Sequence, residues 1–183
     1  MASGHRADPV CGECLRRPPP FTRCWAALRY EEAVPALVGG AKFQGRLNLG
    51  RLLGLVLAEY LQRCNADLPD VVIPVPLHRA RLRERGYNQA LEIARATAGA
   101  LSLPLDPRAC TRVLITAPQA GLEKRERRRN VRGAFRVPRP PQAVHVAILD
   151  DVVTTGSTAA ELTKALLAQG VDRVDLWAAA RTP

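Results

Sequence analysis

Val144–Thr158, VHVAILDDVVTTGST, decides how the rest of the chain is read. Val144, Val146, Ala147, Ile148 and Leu149 make the short apolar run of a parallel strand covered on both faces. Asp150 and Asp151 are expected where that strand leaves the sheet, at its carboxyl end, which is where open α/β sheets bind ligands. Thr154, Thr155, Gly156, Ser157 and Thr158 follow at once. Glycine lets the backbone come close to a ligand, hydroxyls donate hydrogen bonds, and the start of the next helix offers unpaired N–H groups to an anion. That helix is expected over Ala159–Gln169, with Leu162, Ala165 and Leu166 on one face and Gly170 at its end. Carboxylates beside an anion cradle suit a sugar phosphate, the acids taking ribose hydroxyls and the cradle taking the 5′-phosphate. The plainer alternative is a capped strand–turn–helix whose acids are incidental.

The run ILDDVVTTGST closely resembles the phosphoribosyl-pyrophosphate (PRPP) motif of type I phosphoribosyltransferases. The resemblance implies that Asp150 and Asp151 are the catalytic acids, holding ribose hydroxyls and favouring positive charge on the ring. It implies that Thr154, Thr155, Gly156, Ser157 and Thr158 bind PRPP through its 5′-phosphate. It also implies Mg²⁺ carried on pyrophosphate and ribose oxygens with most of its waters kept. Three further stretches, CGECLRRPPPF, PVPLHRARLRERGYNQA and QAGLEKRERRRNVRGAF, extend the likeness from Cys11 to Arg181. Together they resemble the ComF family of competence-associated phosphoribosyltransferase-like proteins. The family implies an α/β fold of the type I phosphoribosyltransferase kind: a mostly parallel sheet flanked by helices, with a mobile hood. It also implies transfer of a phosphoribosyl group to a nitrogenous acceptor, and a link to DNA uptake and its proteins.

The family typically opens with a four-cysteine zinc ribbon. Here Cys11 and Cys14 stand at ribbon spacing, but the upstream pair is missing, and Cys24 and His5 lie at irregular distances. A structural Zn²⁺ site needs four ligands. Cys11 and Cys14 are therefore expected to form an incomplete zinc site in a truncated ribbon-like arm, 1–24, ahead of a phosphoribosyltransferase domain, 25–183. Cys64 and Cys110 are isolated and read as plain buried or half-buried thiols.

The 183 residues suit one domain with a small appendage. A net charge of +10 and a pI near 10.3 favour anionic partners, phosphorylated metabolites or nucleic acid. Most of that charge is arginine, which grips phosphate in a fork, although an arginine and alanine excess also follows from genome composition. No apolar run approaches a membrane span and Met1–Asp8 is too polar for a signal peptide, so a cytoplasmic protein without membrane insertion is expected.

Ahead of the central motif, Trp25–Tyr30 reads as a strand and Val34–Phe43 as a short helix weakened by Gly39 and Gly40. Lys42 matches a lysine common at this place in the family; a solvated surface lysine is the alternative. Leu49, Leu52, Leu53, Val56, Leu57, Tyr60 and Leu61 repeat at helical spacing and are all read as core. Val71, Val72, Ile73 and Val75 form the next buried strand. Its carboxyl end opens into Leu77, His78, Arg79 and Arg81, which by position resemble a pyrophosphate loop. Arginines there would neutralise charge on departing pyrophosphate, whereas the bland alternative is a solvated loop and helix start. Arg85–Asn88 fits either function or loop geometry. Ala90–Leu101 continues as a helix with Leu91, Ala94, Ala98 and Leu101 on one side. Arg173–Ala180 is the final strand.

Arg112–Arg139 is the most basic tract, with Arg127, Arg128 and Arg129 at its centre. In type I phosphoribosyltransferases the matching region is the hood, and a lid that excludes water suits chemistry through a cation-like sugar. The competing reading is a non-catalytic module that senses PRPP or a nucleotide and meets single-stranded DNA through this arginine cluster. With 4% aromatic residues there is little to stack on bases, so such binding would be sequence-tolerant. An ordinary exposed helix is the third alternative.

Overall fold

The computed structural model describes residues 15–16, 18–43, 45–115 and 131–183. Cys11, Cys14, Arg127, Arg128 and Arg129 lie outside the described residues. Strand β1 (Cys24–Arg29) is followed by helices α1 (Val34–Phe43) and α2 (Leu47–Arg63), then β2 (Val71–Pro74), α3 (Arg79–Arg85) and α4 (Gln89–Ala100). Two-residue strands β3 (Thr111–Arg112) and β4 (Phe135–Arg136) pair with each other, antiparallel. The chain closes with β5 (His145–Val153), α5 (Ser157–Leu167) and β6 (Arg173–Arg181). β1, β6, β5 and β2 lie side by side in that order, all parallel. The fold is thus α/β, a parallel four-stranded sheet flanked by helices.

β5 and β6 occupy the middle because both of their faces are apolar. Successive residues of a strand point to opposite faces, so Leu176 and Ala178 join one core and Trp177 and Ala179 the other. The first core lies under α5, where Ala159, Leu162 and Leu166 meet Ile73, Val146 and Ile148. The second lies under α1, α2 and α4, where Val38, Leu53, Leu57 and Ile93 meet Val72, Ala147 and Leu149. No helix among the described residues is long and apolar enough to cross a membrane.

Several sequence expectations need correction. β5 does not leave the sheet at Asp150. It stays paired with β6 from Asp150 opposite Ala178 through Val153 opposite Arg181. On its other side the ladder with β2 stops at Pro74 opposite Leu149, followed by one bond from Val75 N–H to the Leu149 carbonyl at 2.8 Å. Leu52 is 46% exposed rather than core, because the buried stripe of α2 runs through Gly50, Leu53, Gly54, Leu57 and Leu61. In α4 the buried face is Ala90, Ile93, Ala94, Thr97 and Ala98, with Leu91 and Leu101 only half-buried. α5 starts at Ser157, two residues before the expected Ala159.

The amino ends of β5 and β6 carry a closed set of charges. Asp175, fully buried, takes Arg173 Nη2 at 3.0 Å and lies 3.3 Å from His145 Nε2. Arg173 also pairs with Asp67, and Asp70 Oδ2 accepts the N–H groups of Val144 and His145, each at 2.9 Å.

α2 and α4 approach closely enough that glycine is required between them. A Cβ on Gly54 would lie 2.5 Å from the Ile93 carbonyl oxygen and 2.7 Å from Ala96 Cβ. Thr97 Oγ1 uses that proximity, donating to the carbonyls of Gly54 and Ile93, both at 3.0 Å. Alanine in a helix interior gains up to ~1 kcal/mol over glycine, but overpacking against backbone costs about 1–3 kcal/mol. Gly54→Ala is therefore expected to lower the urea midpoint, with a net loss of roughly 2 kcal/mol. Gly39→Ala in α1, where a Cβ meets nothing within 4 Å, is expected to raise it.

Candidate functional site

Beyond Leu149 one edge of β5 is open toward the end of β2, and this is where Asp150 and Asp151 stand. Asp150 is half-buried and Asp151 buried. Each carboxylate accepts the N–H of the next residue at 2.9 Å: Asp150 Oδ1 from Asp151, Asp151 Oδ1 from Val152. Asp151 Oδ2 lies 3.0 Å from Lys42 Nζ, an ion pair out of hydrogen-bond alignment. Burial and the neighbouring Asp151 raise the Asp150 carboxyl to about 8, with Lys42 acting weakly in the opposite direction.

The residues after β5 form a tight turn into α5. Gly156 adopts φ +68°, the left-handed conformation that side chains disfavour. Its missing Cβ is a matter of backbone rather than space, since a Cβ would sit 3.6 Å from the Phe21 ring. Thr155 Oγ1 and Ser157 Oγ share a hydrogen bond of 2.7 Å at the first residue of α5. Thr154 is exposed, and Thr155 and Thr158 half-buried. Thr154–Thr158 thus directly follow the acid pair, at the amino end of an eleven-residue helix.

A basic wall rises from the end of β2. His78 caps α3, its Nδ1 accepting from Ala80 N–H at 3.1 Å, and it makes a parallel bridge to Arg112 on β3. Leu77 is half-buried beside it. Helical period sorts the arginines of α3: Arg79 and Arg83 are exposed, while Arg81 and Arg85 are half-buried. Arg85–Asn88 serve loop geometry. Arg85 bonds Gln89, Gly86 ends α3 at φ +84°, and Asn88 caps α4 while donating to the Val75 carbonyl at 3.0 Å. Tyr87 Oη donates to the Ala41 carbonyl at 2.6 Å.

One member of the site, Arg112, was not singled out from sequence, and Lys42 was noted there without a partner or a role. Arg112, noted only as the start of a basic tract, has its guanidinium 5.6 Å from the centroid of the Phe135 ring. Burial and the like charge of Arg81 lower its pKa, and Asp150 opposes them. Its strand is two residues long, too short to leave a periodic signal. Lys42 reaches Asp151 from the last turn of α1, and no local spacing links residues so far apart in the chain. Cys110 is buried, its thiol pushed up to about 12, and is plain core as expected.

No family model matches the chain. Curated relatives do. DNA utilization protein YhgH of Salmonella typhi is 39% identical over 186 residues, spanning 100% of this chain and 82% of that protein. Its namesake in Escherichia coli (strain K12) is 38% identical over 176 residues, 94% of this chain and 78% of the relative. Competence protein F of Haemophilus influenzae is 34% identical over 178 residues, 93% of this chain and 78% of its own length.

The Asp150 environment has a stability signature. Between about pH 4 and about pH 8 the unfolded chain has lost the Asp150 proton and the folded one has kept it. The folded state then binds more protons than the unfolded state, so stability falls as pH rises through that window and is level on either side. Asp150→Asn is free of this loss, and its amide oxygen can still accept the Asp151 N–H. The variant is expected to be more stable than the parent by roughly 2 kcal/mol at pH 8, with the gap closing by pH 4. Denaturant titrations across pH test this; a gap independent of pH refutes it.

Proposed function

The chain belongs to the ComF family, and from that premise we propose that it is a phosphoribosyltransferase-like protein that binds PRPP. One observation carries the reading: an acid pair, a left-handed glycine turn opening a helix, and an arginine wall converge at the carboxyl ends of β2 and β5. These are the three chemistries a ribose bearing a 5′-phosphate and a pyrophosphate requires.

In this reading Thr154–Thr158 hold the 5′-phosphate through hydroxyls and the free N–H groups of α5, which fixes the sugar. Asp150 and Asp151 meet the ribose hydroxyls and so fix the ring as the bond from the anomeric carbon to pyrophosphate lengthens. Arg81 and Arg112 neutralise the leaving group, and a nitrogenous acceptor bonds the anomeric carbon from the face opposite the departing pyrophosphate. Mg²⁺ would be carried on the substrate's pyrophosphate and ribose oxygens, where it would offset the charge of the leaving group. The two carboxylates beside the turn, Asp150 half-buried and Asp151 buried, suit the hydroxyls of such a sugar phosphate. No side chain here is assigned as general base.

A second reading is favoured by the exposed arginines of α3. It takes the protein as a PRPP- or nucleotide-sensing module that contacts single-stranded DNA in uptake or recombination. The +10 net charge and the names of the relatives, DNA utilization protein and competence protein, agree with it.

Calorimetry with Mg²⁺–PRPP tests the first reading. The Asp150→Asn, Asp151→Asn double variant is expected to fold and to lose affinity by about a hundredfold or more, as for two charge-assisted contacts. Pyrophosphate release with a panel of bases then separates enzyme from sensor. Unchanged PRPP affinity in the folded double variant overturns the site.

The sidedness of α3 separates the two readings. Arg79→Ala with Arg83→Ala is expected to flatten the salt dependence of single-stranded DNA binding, by about 0.7 in slope per lost phosphate contact, and to spare PRPP. Arg81→Ala is expected to weaken PRPP and leave the salt slope alone. Anisotropy across salt that does not change in the Arg79, Arg83 variant removes the DNA reading from this helix.

A further inference from the structure

Lys42 stands apart from the stretches that carry the site. A lysine in the last turn of a helix ordinarily faces that helix's own carbonyls or water. This one is 32% exposed along its side chain and brings Nζ to 3.0 Å from Oδ2 of Asp151, whose side chain is 6% exposed. Asp151 Oδ1 is already occupied by the Val152 N–H. Oδ2 has no aligned hydrogen-bond partner among the described residues, so the ammonium is the one cation that faces this acid there, beside the Asp150 carboxyl while that keeps its proton. An uncompensated buried charge is costly.

The reach of Lys42 is fixed from behind. The residue before it, Ala41, is in the core with Val38, and its carbonyl takes the 2.6 Å hydrogen bond from Tyr87 Oη. Tyr87 lies two residues past the end of α3, the helix that carries the arginines. The basic wall, the end of α1 and the acid pair are thus joined by one hydroxyl and one ammonium.

We propose that Lys42 is the positioning residue of the acid pair: its ammonium holds Asp151 in place and cancels its charge, leaving Asp150 as the carboxyl that meets a sugar hydroxyl. The proposal deepens the sugar-phosphate reading and rests on it. The groups that bear on Asp150 are Asp151 beside it on β5, Lys42 from α1 and Arg112 from β3. Asp151 and burial strengthen the hold of Asp150 on its proton, and Lys42 weakens it. A lysine that only braced α1 against the sheet would alter melting temperature without any need to alter that balance.

The test follows ¹³C-labelled aspartate carboxyls by NMR through pH, with Asp150 identified by its loss in Asp150→Asn. Lys42→Met is expected to raise the Asp150 midpoint by roughly half a unit or more, the opposing charge being gone. Lys42→Arg is expected to stay near the parent. Tyr87→Phe, which removes one hydroxyl, moves the midpoint the same way by less and serves if Lys42→Met does not fold. Ribose 5-phosphate affinity at pH 7 is expected to fall about tenfold in Lys42→Met, as for one charge-assisted contact, and to be largely restored in Lys42→Arg. A midpoint that does not move overturns the proposal, as does unchanged ribose 5-phosphate binding beside a moved midpoint. If the parent itself binds no ribose 5-phosphate, the sugar-phosphate reading falls. The titration then still decides separately whether Lys42 governs the pair.

Discussion

The ladder between β2 and β5 stops at Pro74 and Leu149, with one last bond from Val75 N–H to the Leu149 carbonyl, while β5 and β6 stay paired to Val153 and Arg181. That mismatch in length leaves the last residues of β5 held on one side and open on the other. Held, they are rigid enough to fix two carboxylates. Open, they face the chain that turns away from β2 into His78 and α3. The helices and both cores serve this arrangement by burying the central strands on both faces, which leaves the strand ends as the place where polar groups can gather.

The two ends of the sheet treat charge differently. At the amino end Arg173 joins Asp175 to Asp67, Asp70 takes two backbone N–H groups, and buried Asp175 has a cation for a partner. At the carboxyl end like groups are adjacent: Asp150 holds its proton to about pH 8 beside Asp151, and Arg81 is near enough to Arg112 to depress its pKa. Such contacts oppose folding. Conflicts of this kind concentrate where a protein binds or reacts, because a ligand of matching charge relieves them. A ligand carrying sugar hydroxyls at one end and anionic groups at the other would relieve both conflicts at once.

Much of this was legible in the sequence. The strand and turn at Val144–Thr158, the helix around Leu53–Leu61 and the final strand at Val174–Ala178 announce themselves by local pattern, and local pattern is what sequence carries. The three stretches read as acid pair, phosphate turn and basic loop do come together at one end of the sheet. The failures share a cause. The length of β5 depends on which neighbour stops first. The exposure of Leu52 depends on two glycines that turn the stripe of α2 toward α4. The roles of Arg112 and Lys42 depend on contacts between segments distant in the chain. Each is set by tertiary packing, and no spacing within a window reports it.

α3 shows how little sequence is needed to present two chemistries. Its arginines recur at every second position, Arg79, Arg81, Arg83 and Arg85, a spacing that in a strand would put all four on one face. In a helix the same spacing advances by about 200° per step, so alternate arginines fall on opposite sides, and exposure divides them as Arg79 and Arg83 against Arg81 and Arg85. Of the inner pair Arg85 is taken up by Gln89, and Arg81 lies in lower dielectric, where a guanidinium acts strongly on a nearby anion. The outer pair stays in water, where salt screens it and only a polyanion, meeting several charges at once, gains much from it. A helix so divided can serve a small phosphorylated ligand and a nucleic-acid backbone without the two competing for the same side chains.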